Sequence, residues 1–570
     1  MMSSTHDANA WRSTSILGIL LVTALAAQAG RILTARSATG ETPFHSANDR
    51  SRWCSVAAIG GYGQFEIDPF LEIRDPKTKR RTWSTIDLVR HRGRDGKQHY
   101  YSSKPPLLSV MHAGVYAAVH AVTGLSLVTQ TFTTARVILV LVNLVPLAGF
   151  WWLWGRYFQR RMQSEWGWTL MVTFMLWGTF VSTFANTLNN HLPGAIAAGM
   201  ALWALLKIIE QEHRELRWFV LAAVSAAFSA VCELPALAWA AAVAVLLLQA
   251  SPRRGAAGIA IGMLPVAIIF LIVNVLAHGD LRPPYAHRAA GALVTLIPRN
   301  VKAADSVQTD SLRSNSAATN SAATSSAATN SAAISSATTS PAATDDDVAS
   351  IVAAVRERGF DVSGQAVVRS TRTVGVHELW DERSQLRFAV LLGDKQIAIH
   401  QWDDWYDYPN SYWYPDRKQG VDRGEPSRAN YLFQSTLGHH GIFSLTPIWL
   451  LVPWGGLILW NQSRGTNNGF RLTLRSQLIL AIAATTLVCF AFYMLRPMQD
   501  RNYGGVSSGF RWMFWFTPLW CWYIAASVDR ISSTWSRSLV LAALGVSIFS
   551  SVYPWTNPWT APWLMQWLGG

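Results

Sequence analysis

The sequence predicts an all-α polytopic membrane protein with about eleven transmembrane helices, and three observations lead there. Only 14% of the 570 residues are charged, against about 25% in soluble globular proteins. Half the residues are hydrophobic, 28 are Trp, and the mean hydropathy is positive at +0.16. Apolar runs of about 20 residues, the length that crosses a bilayer, recur along the chain. Together these exclude a soluble or disordered protein. Four cysteines without a CxxC pair (Cys54, Cys232, Cys489, Cys521) indicate neither a disulfide framework nor a zinc site. The net charge of +14 is scattered between apolar runs. That suits an anionic membrane surface or anionic lipids, and no nucleic acid is expected.

The predicted spans are 14–33, 133–154, 166–186, 191–209, 217–232, 234–250, 256–278, 441–461, 473–495, 510–528 and 537–555. Residues 1–33 form a cytoplasmic N-terminus and first span, 34–132 a first outer loop, and 133–278 a six-span bundle. Residues 279–440 form a second outer loop, and 441–570 a four-span part. Ala27-Gln28-Ala29 has the form of a signal-peptide cleavage site, but no Lys or Arg precedes Trp11, which favours a retained span.

The stretch 106–125 decides the topology. If it does not cross, Arg156, Arg160, Arg161, Lys207, Arg214, Arg217, Arg253, Arg254, Arg464, Arg471, Arg475, Arg530 and Arg537 all fall on the cytoplasmic side. Its apolar stripe (Leu107, Leu108, Met111, Val115, Val119, Val122) is separated from His112, Tyr116 and His120, a division that suits a helix lying in the interface. The expected topology has the N-terminus inside and the C-terminus outside.

Within the second loop, six imperfect pentads such as NSAAT occupy 315–344. Small polar residues bury too little apolar surface to order themselves, so disorder is expected over 305–346. Beyond the repeat, 387–392 and 396–400 flank Gly393-Asp394-Lys395 and predict a β-hairpin. The Trp- and Tyr-rich segment 402–414 reads as an interfacial belt or as a sugar-stacking surface, with base rates on the side of the belt.

Candidate chemistry gathers at the predicted outer face. In Tyr100-Tyr101-Ser102-Ser103-Lys104-Pro105-Pro106-Leu107 a helix is expected to start at the prolines. Lys104 then stands at a helix N-terminus, either as an anion ligand or as an ordinary interfacial lysine. Asp49, in Asn48-Asp49-Arg50-Ser51-Arg52-Trp53, is flanked by two arginines. It is either a carboxylate that orients or deprotonates a nucleophile, or a helix N-cap. Asn190, His191 and Glu233 sit at outer span ends, where polar groups are functional candidates. The run 496–511, RPMQDRNYGGVSSGFR, is an outer glycine-rich loop. Its Arg501 and Arg511 carry forked donors suited to phosphate, and Tyr503 lies between them. His439-His440 is too sparse a set to suggest a metal.

The order of these features resembles the GT-C membrane glycosyltransferases: one span, an acidic residue, a Lys-Pro-Pro-Leu segment in the first outer loop, then a many-span body. It is most similar to the protein O-mannosyltransferase and aminoarabinose-transferase branch, which uses polyprenyl-phosphate sugars. Asp49-Arg50-Ser51-Arg52-Trp53 resembles that family's Asp-Glu-x-Arg-Tyr, with Arg50 in place of the second acid. Tyr101-Ser102-Ser103-Lys104-Pro105-Pro106 resembles its aromatic-Lys-Pro-Pro segment. The resemblance implies a catalytic Asp49 and juxtamembrane helices in the first outer loop. It makes Lys104, Arg136 and Arg511 carrier-phosphate ligands, with Arg501 added as a candidate by its own forked donors. Tyr101, Asn190, His191, Glu233 and Tyr503 are the substrate-binding candidates beside them.

The activity expected is inverting, metal-independent transfer of a sugar from a polyprenyl-phosphate carrier to a lipid, protein or polymer acceptor. No cofactor is expected. The expected place is the outer face of a bacterial inner membrane, among membrane lipids. Two other readings stay open: a lipid or solute transporter, and a non-catalytic relative that binds a lipid-linked glycan.

Overall fold

The computed structural model describes residues 2–299, 343–371, 375–414, 416–464 and 472–569. The pentad repeat up to residue 342, and with it nearly all of the expected disorder, lies outside them. The chain forms two compact units, one of residues 1–284 and 417–570, the other of 285–416.

The first unit is helical. Among the described residues, seven of its helical segments are long and apolar enough to cross a membrane: Ser13–Thr34, Pro106–Thr123, Thr131–Arg161, His191–Glu210, Pro252–His278, Leu474–Met494 and Thr534–Val552. Leu216–Cys232 and Leu234–Ala250 are apolar but shorter. The first helix, α1 (Met2–Thr34), carries the Ala27-Gln28-Ala29 triplet within it. Gln28 is buried and accepts a hydrogen bond from Arg31 at 2.8 Å, which ties that turn into the fold.

Three predicted spans are broken rather than continuous. The 166–186 run is a helix Glu165–Trp177 that stops at Gly178, followed by a single turn Phe180–Thr183. The 441–461 run is divided at Pro447 and Pro453 into Ile442–Leu445, Pro447–Leu451 and Val452–Ser463. The 510–528 run changes from a tight 3₁₀ turn, Arg511–Phe516, to an α-helix, Thr517–Val528, next to Pro518. A proline lacks the N–H that would continue an α-helix. Where the helix survives a proline, the backbone adjusts instead. Thr131–Arg161 and Pro252–His278 each contain a π-turn, at Val140–Leu144 and Ile259–Met263, just before Pro146 and Pro265.

The first loop is folded throughout its length. It contains α2 (Ala47–Tyr62), a single turn α3 (Asp68–Leu71), the antiparallel hairpin β1 (Leu88–Arg92) and β2 (Gln98–Ser102), and α4 (Pro106–Thr123). Helix α4 starts where the Pro-Pro pair predicts. Its first half is buried against α2, while Val122 at its far end is 86% exposed. It meets the length and apolarity of a span, a status the sequence reading withheld from it.

The second unit is more than a hairpin in a loop. It is a five-stranded antiparallel sheet in the order β3-β7-β6-β5-β4. The strands are β3 (Arg288–Pro298), β4 (Val367–Ser370), β5 (Val376–Asp381), β6 (Leu386–Leu392) and β7 (Gln396–Asp404). The predicted hairpin is its β6–β7 pair. Ile351, Val352 and Val355 of the helix Asp345–Glu357 pack on Leu379, Phe388, Val390, Ile397 and Ile399, covering one face of the sheet.

Glycine sets the closest helix approach in the first unit. A Cβ on Gly455 would fall on the backbone carbonyl of Tyr523, whereas one on Gly456 would meet only the Tyr523 ring, at 3.2 Å. Gly455→Ala is expected to cost about 1–3 kcal/mol through overpacking and to lower the thermal unfolding midpoint in detergent. Gly456→Ala is expected to change that midpoint much less, because a ring can turn and a carbonyl in a helix cannot.

Candidate active site

Asp49 lies in the first turn of α2, whose N-cap is Ser46: the Ser46 hydroxyl accepts the Asp49 N–H at 3.2 Å. The Asp49 side chain is fully buried. Its Oδ2 accepts the backbone N–H of His45 and its Oδ1 that of Leu188, both at 2.9 Å. Burial pushes its carboxyl up to about 6, against the downward pull of those two N–H groups, Thr187 and Arg50. The carboxylate thus pins α2 to the segment that leads into His191.

One turn on, Arg52 donates from Nη2 to the Asn190 side-chain oxygen at 2.8 Å. Asn190 donates to Glu233 Oε1 at 2.8 Å and to the Cys232 carbonyl at 3.0 Å. Glu233 also takes a short hydrogen bond with His191 Nδ1, while His191 Nε2 is buried with no partner. With the Glu233 oxygen as acceptor, the proton between them is assigned to Nδ1, which leaves the lone pair of a neutral ring on Nε2. These four side chains form one chain of hydrogen bonds, Arg52–Asn190–Glu233–His191.

Lys104 stands just before α4 and pairs with Asp87 at 3.1 Å. Burial lowers its basicity, Asp87 raises it, and the positive charges of Arg52 and Arg511 lower it further. Arg511 is 8% exposed, and its Nε and Nη1 are buried without a hydrogen-bond partner. Its guanidinium sits over the Trp559 ring at 4.4 Å, within electrostatic reach of Glu233, Asp87, Arg52 and Asp422. Gly504 and Gly505 are left-handed, with φ of 98° and 78°. A side chain at Gly504 would press on Arg511 Nε and Trp512 Nε1, each at 2.7 Å. The amides of Gly504 and Gly505 are taken by the Asn502 side chain at 2.9 and 3.2 Å, so the glycines make room for Arg511 and are not themselves an anion cradle.

The remaining candidates have other employment. Arg501 spends its donors on the carbonyls of Arg496, Glu425 and Pro426. Tyr503 donates to Glu425 at 2.8 Å and stacks on His440 at 3.9 Å. Tyr101 donates to Glu66 at 3.1 Å and stacks on His91. Arg136 sits over Phe132 at 5.2 Å, with Arg36 as its charged neighbour. Asn190, His191, Glu233, Lys104, Asp49 and Arg511 are therefore brought to one region; Arg501, Tyr101 and Tyr503 serve contacts of their own, and Arg136, whose Nε is also buried without a hydrogen-bond partner, lies beside Phe132 and Arg36. Sequence reasoning missed Arg52 as a working group and Asp87 altogether. Arg52 stood in the quoted motif, but Asp87 has no local signal. No protein family, curated protein or solved structure matches the chain.

The Asp49 carboxyl titrates near 6 when folded, against an ordinary 3.8. Between about pH 4 and 6 the native state holds a proton that the unfolded chain has released, so this group's stabilisation is complete below 3.8 and fades as pH rises through 6. Thermal unfolding of purified protein across that window is expected to show the decline. In Asp49→Asn that component of the slope is expected to vanish.

Proposed function

We propose that the protein is a membrane glycosyltransferase of GT-C type. It moves a sugar from a polyprenyl-phosphate carrier to an acceptor on the non-cytoplasmic face of a bacterial inner membrane. The observation that carries this reading is Arg511, a buried arginine with two unpartnered nitrogens beside Lys104. A cation left without its anion in such a place suits a phosphate that arrives with the substrate. Lys104 has three donors and spends one on Asp87, which leaves donors for the same phosphate.

The reaction needs one proton removed and one anion stabilised. We assign the proton to His191. Its Nε2 takes the acceptor's O–H or N–H proton, and Glu233 on Nδ1 supports the imidazolium that results. The freed nucleophile attacks the anomeric carbon as the bond to the carrier phosphate breaks. The phosphate leaves with the electron pair toward Arg511 and Lys104. A single displacement of this kind inverts the anomeric centre. Phosphate is already a competent leaving group, so the chemistry does not call for a metal. Asp49, with both oxygens engaged by backbone N–H groups, serves as the residue that holds the two walls together.

The test is donor turnover. Membranes carrying the protein are given radiolabelled polyprenyl-phosphate sugars together with a membrane extract as acceptor source, and label leaving the carrier is followed. Wild type is expected to release label from at least one donor. Arg511→Ala and Lys104→Ala are each expected to slow release by about 10²–10³-fold, and His191→Ala by about 10²–10⁴-fold. Release that is undiminished in both Arg511→Ala and Lys104→Ala overturns the phosphate site. Well-folded wild type that releases label from no donor overturns the transferase.

A further inference from the structure

The sheet of the 285–416 unit has a second face, and it is built differently from the one the helix covers. Strand alternation puts Leu379, Phe388, Val390 and Ile399 under the helix and Glu378, Trp380, Arg387 and Trp402 on the opposite side. Arg369 stands opposite Glu378 in the register, and Trp380 opposite Arg387. On this face Arg387 sits over Trp402 at 4.3 Å and near Trp380 at 5.8 Å, while Arg369 lies over Trp380 at 5.7 Å. Planar guanidinium and indole groups therefore alternate across four strands, β4, β5, β6 and β7.

Both arginines on this face are already matched by carboxylates. Glu378, 5% exposed, accepts from Arg369 at 2.7 Å and takes a short bond from Arg387. Arg387 also binds Asp407, which in turn takes the Tyr414 hydroxyl. Above this floor lies an open cleft of about 530 Å³, with Asp404 and Asp416 also in its wall. That volume is in the range of small-molecule sites, about 300–1,000 Å³.

The chemistry narrows what fits. An anion would meet four carboxylates against two arginines, and both arginines are engaged. A cation would find Glu378 and Asp407 turned onto those arginines and Asp404 holding the Tyr406 N–H at 2.9 Å, which leaves only the exposed Asp416 at the rim. What the wall still offers is a dense set of fixed donors and acceptors beside flat apolar faces. A sugar ring has the matching composition, with hydroxyls around its edge and C–H groups on its faces.

We propose that this cleft is a binding site for a neutral oligosaccharide. It is formed within one unit by residues none of which belongs to the candidate active site, so it stands or falls independently of the transferase reading. The floor is pre-organised by its ion pairs, which lowers the ordering cost of binding.

The test uses the full chain in lipid nanodiscs, which avoids sugar-headed detergents. It is passed over immobilised maltohexaose, cellohexaose, mannohexaose and N-acetylchitohexaose, with a heparin hexasaccharide and polylysine as charged comparators. Wild type is expected to be retained by at least one neutral glycan. Asp416→Ala, at an exposed rim position, and Tyr414→Phe are each expected to weaken that binding by about tenfold, the equivalent of one lost hydrogen bond to a charged group. Trp402→Ala is expected to abolish it, and Arg511→Ala to leave it unchanged. Retention by no neutral glycan, retention by the charged probes alone, or wild-type binding in both Asp416→Ala and Tyr414→Phe overturns the proposal.

Discussion

One buried carboxylate holds the candidate site together. Asp49 sits on α2, a short helix of an extended loop, and reaches the backbone of Leu188, which lies 139 residues away in sequence. Burial works against its charged form, and the N–H groups of His45 and Leu188 work for it. A buried polar group left unpaired costs about 1–3 kcal/mol, so the two segments are held at one separation. Everything downstream depends on that distance. Arg52, one turn along the same helix, meets Asn190, two residues past Leu188. Asn190 in turn reaches Glu233, and Glu233 fixes the tautomer and orientation of His191. Without the clamp, each later hydrogen bond would have to find its own geometry.

The buried arginines differ in how their donors are spent. Arg31 is nearly inaccessible, yet its donors go to the carbonyls of Trp555, Ser182 and Thr183 and to Gln28. Arg501 is likewise spent on backbone oxygens. Both act as multi-pronged ties between chain segments. Arg511 has comparable burial and none of that satisfaction at Nε and Nη1, and an indole ring beneath it. Burying a guanidinium is costly unless its donors are matched. The fold tolerates Arg511 in that condition, which is the expected state of a residue whose partner is a ligand.

Local signals in the sequence proved reliable, and long-range ones were invisible. The Pro-Pro pair placed the start of α4, because that effect acts within a few residues, whereas the N-cap of α2 is Ser46 and not Asp49. The Gly-Asp-Lys turn located the β6–β7 pair for the same reason. The rest of that sheet escaped notice. Strand β3 reads Arg-Ala-Ala-Gly-Ala-Leu-Val and has no clean alternation, and its register with β7 is interrupted by irregularities. Apolar runs were read as spans by composition, but composition does not see where Gly178, Pro447 or Pro518 divides the backbone. At the site, the residue types were legible one at a time, including His191, Glu233 and Lys104. The Asp87–Lys104 and Arg52–Asn190 pairings are tertiary, and nothing near either partner in sequence announces the other.

The glycine-rich loop has glycines for a different reason than its sequence suggests. Two consecutive glycines before an arginine suggest backbone amides turned toward an anion. Here Asn502 caps both amides, so they have no donors to spare. The loop instead needs glycine for space and for handedness at once. Position 504 has a φ of 98°, and any side chain there would collide with Arg511 Nε. The Arg511 N–H, in turn, is held by the Tyr503 carbonyl at 3.1 Å, closing the loop on itself. The glycines therefore act through the arginine they leave room for. Under the proposed function, recognition of the anion falls to the side chain, whose forked donors reach further than a backbone turn.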